Sequence, residues 1–126
     1  MRAYQVVEHG EPSSLKVNVI DDLKPGEGQI LVGIRAAGIN SPDVLVVSGK
    51  YQVLPKRPFT PGKDLAGVVL AVGSGVTGFA QGDRVLCHVE HAALAEQILV
   101  TPLPTTYCRS GSVLPRLNCK TWQQNP

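Results

Sequence analysis

The sequence of 126 residues lacks a long hydrophobic run. Its longest nearly uncharged apolar stretch, Leu65 to Val76, has 12 residues and carries three glycines, against the ~20 that a membrane-spanning helix needs. No membrane crossing is expected. A secretory leader is missing from the reading as well, because Met1 to Gln5 meets Glu8 and His9 before an apolar region of about 7–15 residues can build up. A cytoplasmic location is expected. Charge of one sign is not in excess: 12 Lys and Arg face 10 Asp and Glu, too near balance for binding to nucleic acid by field alone. Cysteine is sparse, with Cys87, Cys108 and Cys119. An odd count without a leader argues against a disulfide framework, and no C-x₂₋₄-C pair is present to build a zinc knuckle.

What is present suits a folded domain. Hydrophobic residues make up 43% and charged residues 17%, enough apolar material for a core and too little charge for a disordered polyampholyte. The length fits one domain of the usual ~100–150 residues, with a tail. Thirteen glycines and ten prolines without a G-X-Y period point to tight turns between short elements, hence to a mostly β class. The acids end early. Residues 1–100 hold nine basic and ten acidic side chains, whereas 101–126 hold Arg109, Arg116 and Lys120 and no acid, so the composition breaks near Thr101.

Along the chain, Arg2–Glu8 and Leu15–Ile20 alternate apolar and polar residues, and Gly10–Ser14 supplies a turn, which predicts an opening hairpin. Gln29–Ala37 alternates again as a longer strand. Ser41 as N-cap, Pro42 at the first helical position and Gly49 as a stop predict a two-turn helix over Pro42–Ser48. Leu54–Gly62 contains Pro55, Pro58 and Pro61 and reads as an irregular loop. Leu65–Val72, Arg84–Val89 and Ala93–Val100 complete six or seven strands, the pattern of a sandwich or partly open barrel.

Three motifs carry candidate chemistry. Gly73-Ser74-Gly75-Val76-Thr77-Gly78 matches G-x-G-x-x-G, but only three residues separate Gly78 from the next turn at Gly82. No helix fits there to face a pyrophosphate, so the glycines read as turns between strands. Cys87-His88-Val89-Glu90-His91 has zinc-ligand types at poor spacing, since Cys87 and His88 point to opposite faces of a strand. A buried thiol beside surface histidines is expected. The third constellation joins Gly38-Ile39-Asn40-Ser41-Pro42-Asp43, Ser48-Gly49-Lys50-Tyr51 and Pro61-Gly62-Lys63-Asp64-Leu65-Ala66-Gly67. Its pieces are strand-to-loop junctions, and helix capping accounts for Ser41 and Pro42. Asn40 and Tyr51 are left without a structural duty.

Through these segments, with Arg2-Ala3, Pro58-Phe59-Thr60, Val72-Gly73-Ser74-Gly75-Val76, Gly82-Asp83-Arg84-Val85 and Ala95-Glu96-Gln97, the chain resembles the medium-chain dehydrogenase/reductase superfamily. More narrowly it resembles the zinc-independent quinone oxidoreductases of the zeta-crystallin-like branch. The resemblance runs from Met1 to about Pro104. It implies a mostly β, GroES-like, partly open barrel with one short helix over residues 1–104, forming one wall of a catalytic cleft whose other wall is a Rossmann domain binding NADPH. By the same resemblance Asn40 and Tyr51 line the nicotinamide and substrate pocket, with Lys63 and Asp64 beside the cleft. Zinc alcohol dehydrogenases of the superfamily place a Cys where Asn40 stands and a His where Lys63 stands, so no metal is expected. The implied reaction is hydride transfer from NADPH to a quinone or enone, with polar side chains steadying oxyanion charge.

Residues 105–126 depart from the family pattern. A βαβ unit takes about 30 residues, so this basic tail, with Pro115 and Pro126, is expected to be poorly ordered and to supply no Rossmann domain. Truncation, a shifted reading frame or alternative splicing would each produce such an end. The expected function is therefore the catalytic-domain part of an NADPH-dependent quinone oxidoreductase, inactive alone. The alternatives are a non-enzymatic GroES-like module that pairs with itself or a full-length relative, and a relative of the zinc alcohol dehydrogenases.

Overall fold

The computed structural model describes residues 1–102 and 108–110. Among them are seven strands and one α-helix: β1 (Arg2–Gln5), β2 (Lys16–Val19), β3 (Ile30–Gly38), α1 (Ser41–Val47), β4 (Asp64–Val72), β5 (Arg84–His88), β6 (Gln97–Val100) and β7 (Cys108–Ser110). The expected hairpin is present as antiparallel β1 and β2, with Arg2 opposite Val19 and Gln5 opposite Lys16. Its connection contains a 3₁₀ turn over Pro12–Ser14, and Ser14 Oγ donates to the Glu11 carbonyl at 2.6 Å.

The remaining strands form one antiparallel sheet in the order β6-β3-β4-β5-β7. The two sheets stay open among the described residues and meet where Tyr4 N donates to Leu94 O at 3.0 Å and Glu96 N to Arg2 O at 3.0 Å. The Arg2 side chain closes the same junction, its Nε donating to Glu96 Oε1 at 2.7 Å. Hydrogen bonds from the Arg2 backbone N–H and then from its side chain hold the Glu96 carboxyl below its usual pKa of 4.5.

Burial along the strands differs from simple alternation in β2, where Lys16, Val17 and Val19 are all exposed, and in β3. In β3, Ile30, Leu31, Val32 and Gly33 are all buried, and exposure begins after Ile34. β6 pairs with Ile30 to Gly33 and Ile34 N donates to the Glu96 carbonyl at 2.9 Å, so the first half of β3 is an inner strand, whereas beyond Ile34 it has β4 alone. β4 alternates over its first half, with Leu65, Gly67 and Val69 inward. Gly67 is required by close approach, because a Cβ there would lie 2.3 Å from Gly33 O. The glycine-rich stretch after β4 is a turn, as its missing helix demanded. Gly75 and Gly78 have positive φ, and a Cβ on Gly73 would lie 1.9 Å from Gly26 O.

The main core is Ile30, Val32, Leu65, Val69, Val85, Cys87, Ala93, Ile98 and Val100. A second, smaller cluster of Val6, Val46, Val47 and Phe59 lies under α1. The proline-rich loop ends inside it: Phe59 and Thr60 are buried, and Phe59 exchanges backbone hydrogen bonds with Val6 at 2.8 and 3.3 Å. The tail expected over Thr105–Pro126 falls outside the described residues apart from Cys108–Ser110, whose backbone pairs with β5.

Candidate functional site

The end of β3, the start of α1 and the start of β4 bring the third constellation together. Register sets Gly38 opposite Asp64, so the chain leaving β3 passes the first residue of β4 as it enters the helix. The N-cap of α1 is Asn40, not Ser41 as the sequence suggested. Asp43 Oδ2 accepts from the Asn40 backbone N–H at 2.8 Å, while the Asp43 N–H bonds the Asn40 backbone carbonyl at 3.0 Å. This is a capping box with Asp at its third helical position, and it satisfies donors that a helix start would otherwise leave unpaired. One residue that seemed to have no structural duty thus has two, because the Asn40 side chain also donates from Nδ2 to Asp64 Oδ2.

Tyr51 has a duty too. Its ring is half-buried against the small cluster of Val6, Val46, Val47 and Phe59. Lys63 Nζ stands 5.4 Å from the ring centroid, within the range of a cation–π contact, and donates to the Glu90 carbonyl at 2.8 Å. The four residues named from the sequence make two contacts, Asn40 to Asp64 by a hydrogen bond and Lys63 to Tyr51 through its ammonium, and Lys63 and Asp64 are neighbours in the chain. They come from three separate segments. Chemically the group offers amide, phenol and ammonium donors and one carboxylate acceptor in a half-buried setting.

A fifth member is one that sequence reasoning passed over. His88 Nδ1 lies 2.7 Å from Asp64 Oδ1, on the exposed face of β5, while Cys87 points into the core. The expectation of a buried thiol holds for Cys87. That of a surface histidine holds for His88 too, which is exposed while its ring meets Asp64. The signal that could have found it is strand register, which sets Asp64 directly opposite His88; neither residue carries that pairing in its own local pattern. His91 goes elsewhere, its ring edge-on to Phe59 with centroids 6.3 Å apart. Among the described residues no three His, Cys, Asp or Glu side chains converge as a metal site would require.

Comparison with known proteins places the fold. The model of the alcohol dehydrogenase GroES-like domain matches residues 26–113. Mouse quinone oxidoreductase is 37% identical over 123 residues, covering 90% of this chain and 37% of that protein. Among solved structures, the quinone oxidoreductase of Pseudomonas syringae pv. Tomato DC3000 superposes with a TM-score of 0.78 at 31% identity, over 90% of this chain and 34% of that one. The Escherichia coli quinone oxidoreductase complexed with NADPH gives 0.75 at 31% identity, over 80% and 31%. The chain spans about a third of the length of the relatives it matches. A domain match over most of the chain, with relatives of one kind in both sequence and structure, means that the chain belongs to the alcohol dehydrogenase GroES-like domain family of the medium-chain dehydrogenase/reductase superfamily.

Proposed function

We propose that these residues form the substrate-facing wall of an NADPH-dependent quinone oxidoreductase, and that the 126 residues on their own do not turn over. The observations that carry this are two contacts at the mouth of β4, Asn40 with Asp64 and Lys63 with Tyr51. The group fits the nicotinamide end of the cofactor: an amide donor and a carboxylate acceptor suit a carboxamide, which both accepts and donates. It offers nothing to the pyrophosphate, because no helix follows the glycines at 73–78.

When bound, NADPH supplies the hydride that reduces a quinone or enone, the proton coming from solvent. Asn40 and Asp64 would hold the carboxamide edge. The Tyr51 hydroxyl and the Lys63 ammonium, with donors beyond the one that Lys63 gives Glu90, would meet charge that develops on the acceptor oxygen. Such donors act most strongly where they are held in place before the reaction, and here the small cluster and the Glu90 carbonyl hold them.

Hydride transfer depends on positioning two reactants at contact distance, which takes two cleft walls. The 126-residue chain is therefore expected not to oxidise NADPH with a simple quinone above background. A fusion carrying the Rossmann domain and closing segment of a quinone oxidoreductase after Pro104 is expected to turn over. In it Asn40→Ala and Tyr51→Phe should lower kcat/KM by about 10²-fold each. Saturable turnover by the unmodified chain overturns the proposal; an inactive fusion with normal NADPH affinity removes Asn40 and Tyr51 from the pocket. The same proposal expects no stoichiometric zinc, since Lys63 would repel a cation where zinc enzymes of the superfamily place a ligand. Metal analysis of protein prepared without chelators checks this, and one tightly held zinc per chain would contradict it.

A further inference from the structure

We propose that His88 is a positioning residue for this site, acting through Asp64 on the side chain of Asn40; this rests on the reading of Asn40 as a cleft residue. Three neighbouring strands carry it. Register sets Gly38, Asp64 and His88 side by side across β3, β4 and β5, and Asn40 follows Gly38 by two residues. Each oxygen of the Asp64 carboxylate then has its own partner: Oδ2 accepts from Asn40 Nδ2, and Oδ1 pairs with His88 Nδ1 at 2.7 Å. A carboxylate only accepts, so the hydrogen of this pair sits on Nδ1 of the imidazole.

The consequence is mechanical. The terminal torsion of an Asp side chain is broad and roughly two-fold, so a carboxylate held at one oxygen can swing about that contact. Held at both oxygens, its plane is fixed. Asn40 Nδ2 carries two hydrogens. With one committed to Asp64, the amide plane follows the carboxylate, and so does the direction of the other N–H. That second hydrogen is what Asn40 can give to a ligand oxygen, the carbonyl of a carboxamide or of a quinone. His88 thus sets the aim of a donor that it does not touch.

The competing possibility is a cross-strand pair that adds only stability, of the kind that opposite residues in a sheet commonly provide. The two differ at Asn40. In the ¹⁵N-labelled 126-residue chain, the Asn40 side-chain NH₂ signals, assigned by their loss in Asn40→Ala, are expected as two well-separated protons that exchange slowly with solvent. His88→Ala should bring the two shifts together and speed exchange about fivefold, the factor of one modest hydrogen bond, while backbone amides of β4 and β5 keep their positions. His88→Asn should restore the wild-type signals, because an Asn Nδ2 can stand where the imidazole Nδ1 stands. His88→Phe, which keeps a ring on the exposed face of β5 but has no donor, should loosen Asn40 in the same way and serves if His88→Ala unfolds. Unchanged Asn40 signals in His88→Ala or His88→Phe, or no rescue by His88→Asn, overturns the proposal. Reduced nicotinamide mononucleotide, added to the wild-type chain, tests the underlying reading separately. A shift at the Asn40 NH₂ supports it; an NH₂ that is held but does not respond removes Asn40 from the nicotinamide site, and with it the role given to His88.

Discussion

The core between β3, β4, β5 and β6 and the small cluster under α1 are both apolar and both buried, yet they are held by different means. Nine buried residues make up the first, and a ladder from Ile30–Val72 to Gly38–Asp64, with register shifts between Leu31 and Val32 and between Ile34 and Ala36, runs through it. Four make up the second. There the chain is held at points: one backbone exchange between Val6 and Phe59, a capping box at Asn40 and Asp43, and the Lys63 ammonium over Tyr51. A ladder is cooperative, so its residues gain or lose order together, whereas separate contacts open separately. The polar groups of the candidate site lie where the two regimes meet, Asp64 belonging to the ladder and Asn40 and Tyr51 to the point-held side.

This contrast can be broken at either end. The largest effect is expected from Leu65→Ala in the sheet, which leaves a cavity in the main core and should cost about 2–5 kcal/mol. Urea unfolding should show the whole transition moving to lower midpoint, with signals from both clusters shifting together. If the cluster under α1 kept its wild-type midpoint, the two regions would be independent folding units. A smaller and more local effect is expected from Asp43→Ala, which removes the carboxylate from the Asn40 N–H. The loss should be about 1 kcal/mol, in the range of a helix cap, and hydrogen exchange should accelerate in α1 while β4 stays protected. Equal acceleration in β4 would mean that the helix and the sheet open as one.

The smallest effect concerns the junction of the two sheets. Glu96 has its pKa lowered in the folded chain by the Arg2 backbone N–H and side chain. A lowered folded value means that the ionised form favours folding. The contribution is present at pH above the usual 4.5 and is lost as pH falls through the lowered value. Both side chains are exposed, so screening keeps the effect small. The urea midpoint should decline slightly over that acid range, and Glu96→Gln should flatten this part of the decline. An unaltered slope in Glu96→Gln would assign the acid sensitivity to other carboxylates.

Much of the fold could be read locally. Alternation placed the hairpin and most of the strands, Pro42 and Gly49 bracketed α1, and the absence of a helix after Gly78 disposed of the dinucleotide motif. The site was half legible. Asn40, Tyr51, Lys63 and Asp64 were singled out, although two of them seemed idle, because a capping role depends on which residue leaves the helical conformation and Tyr51's role depends on a cluster assembled from distant segments. Ser41, equally able to cap, illustrates the first difficulty: serine and asparagine both serve at that position, and only the backbone path out of β3 chooses between them.

By itself, then, the sequence determined the class of fold, the short helix, the turns and the family, because alternation, proline, glycine and ordered segments act through near neighbours. Pairing was decided only in three dimensions. The doubly covered half of β3 follows from β6 returning to lie beside it, the need for Gly67 from a carbonyl of another strand, and the contact of Asp64 with both Asn40 and His88 from a register that joins residues 24 positions apart on either side. Strand register is a property of two segments at once, and neither segment carries it alone.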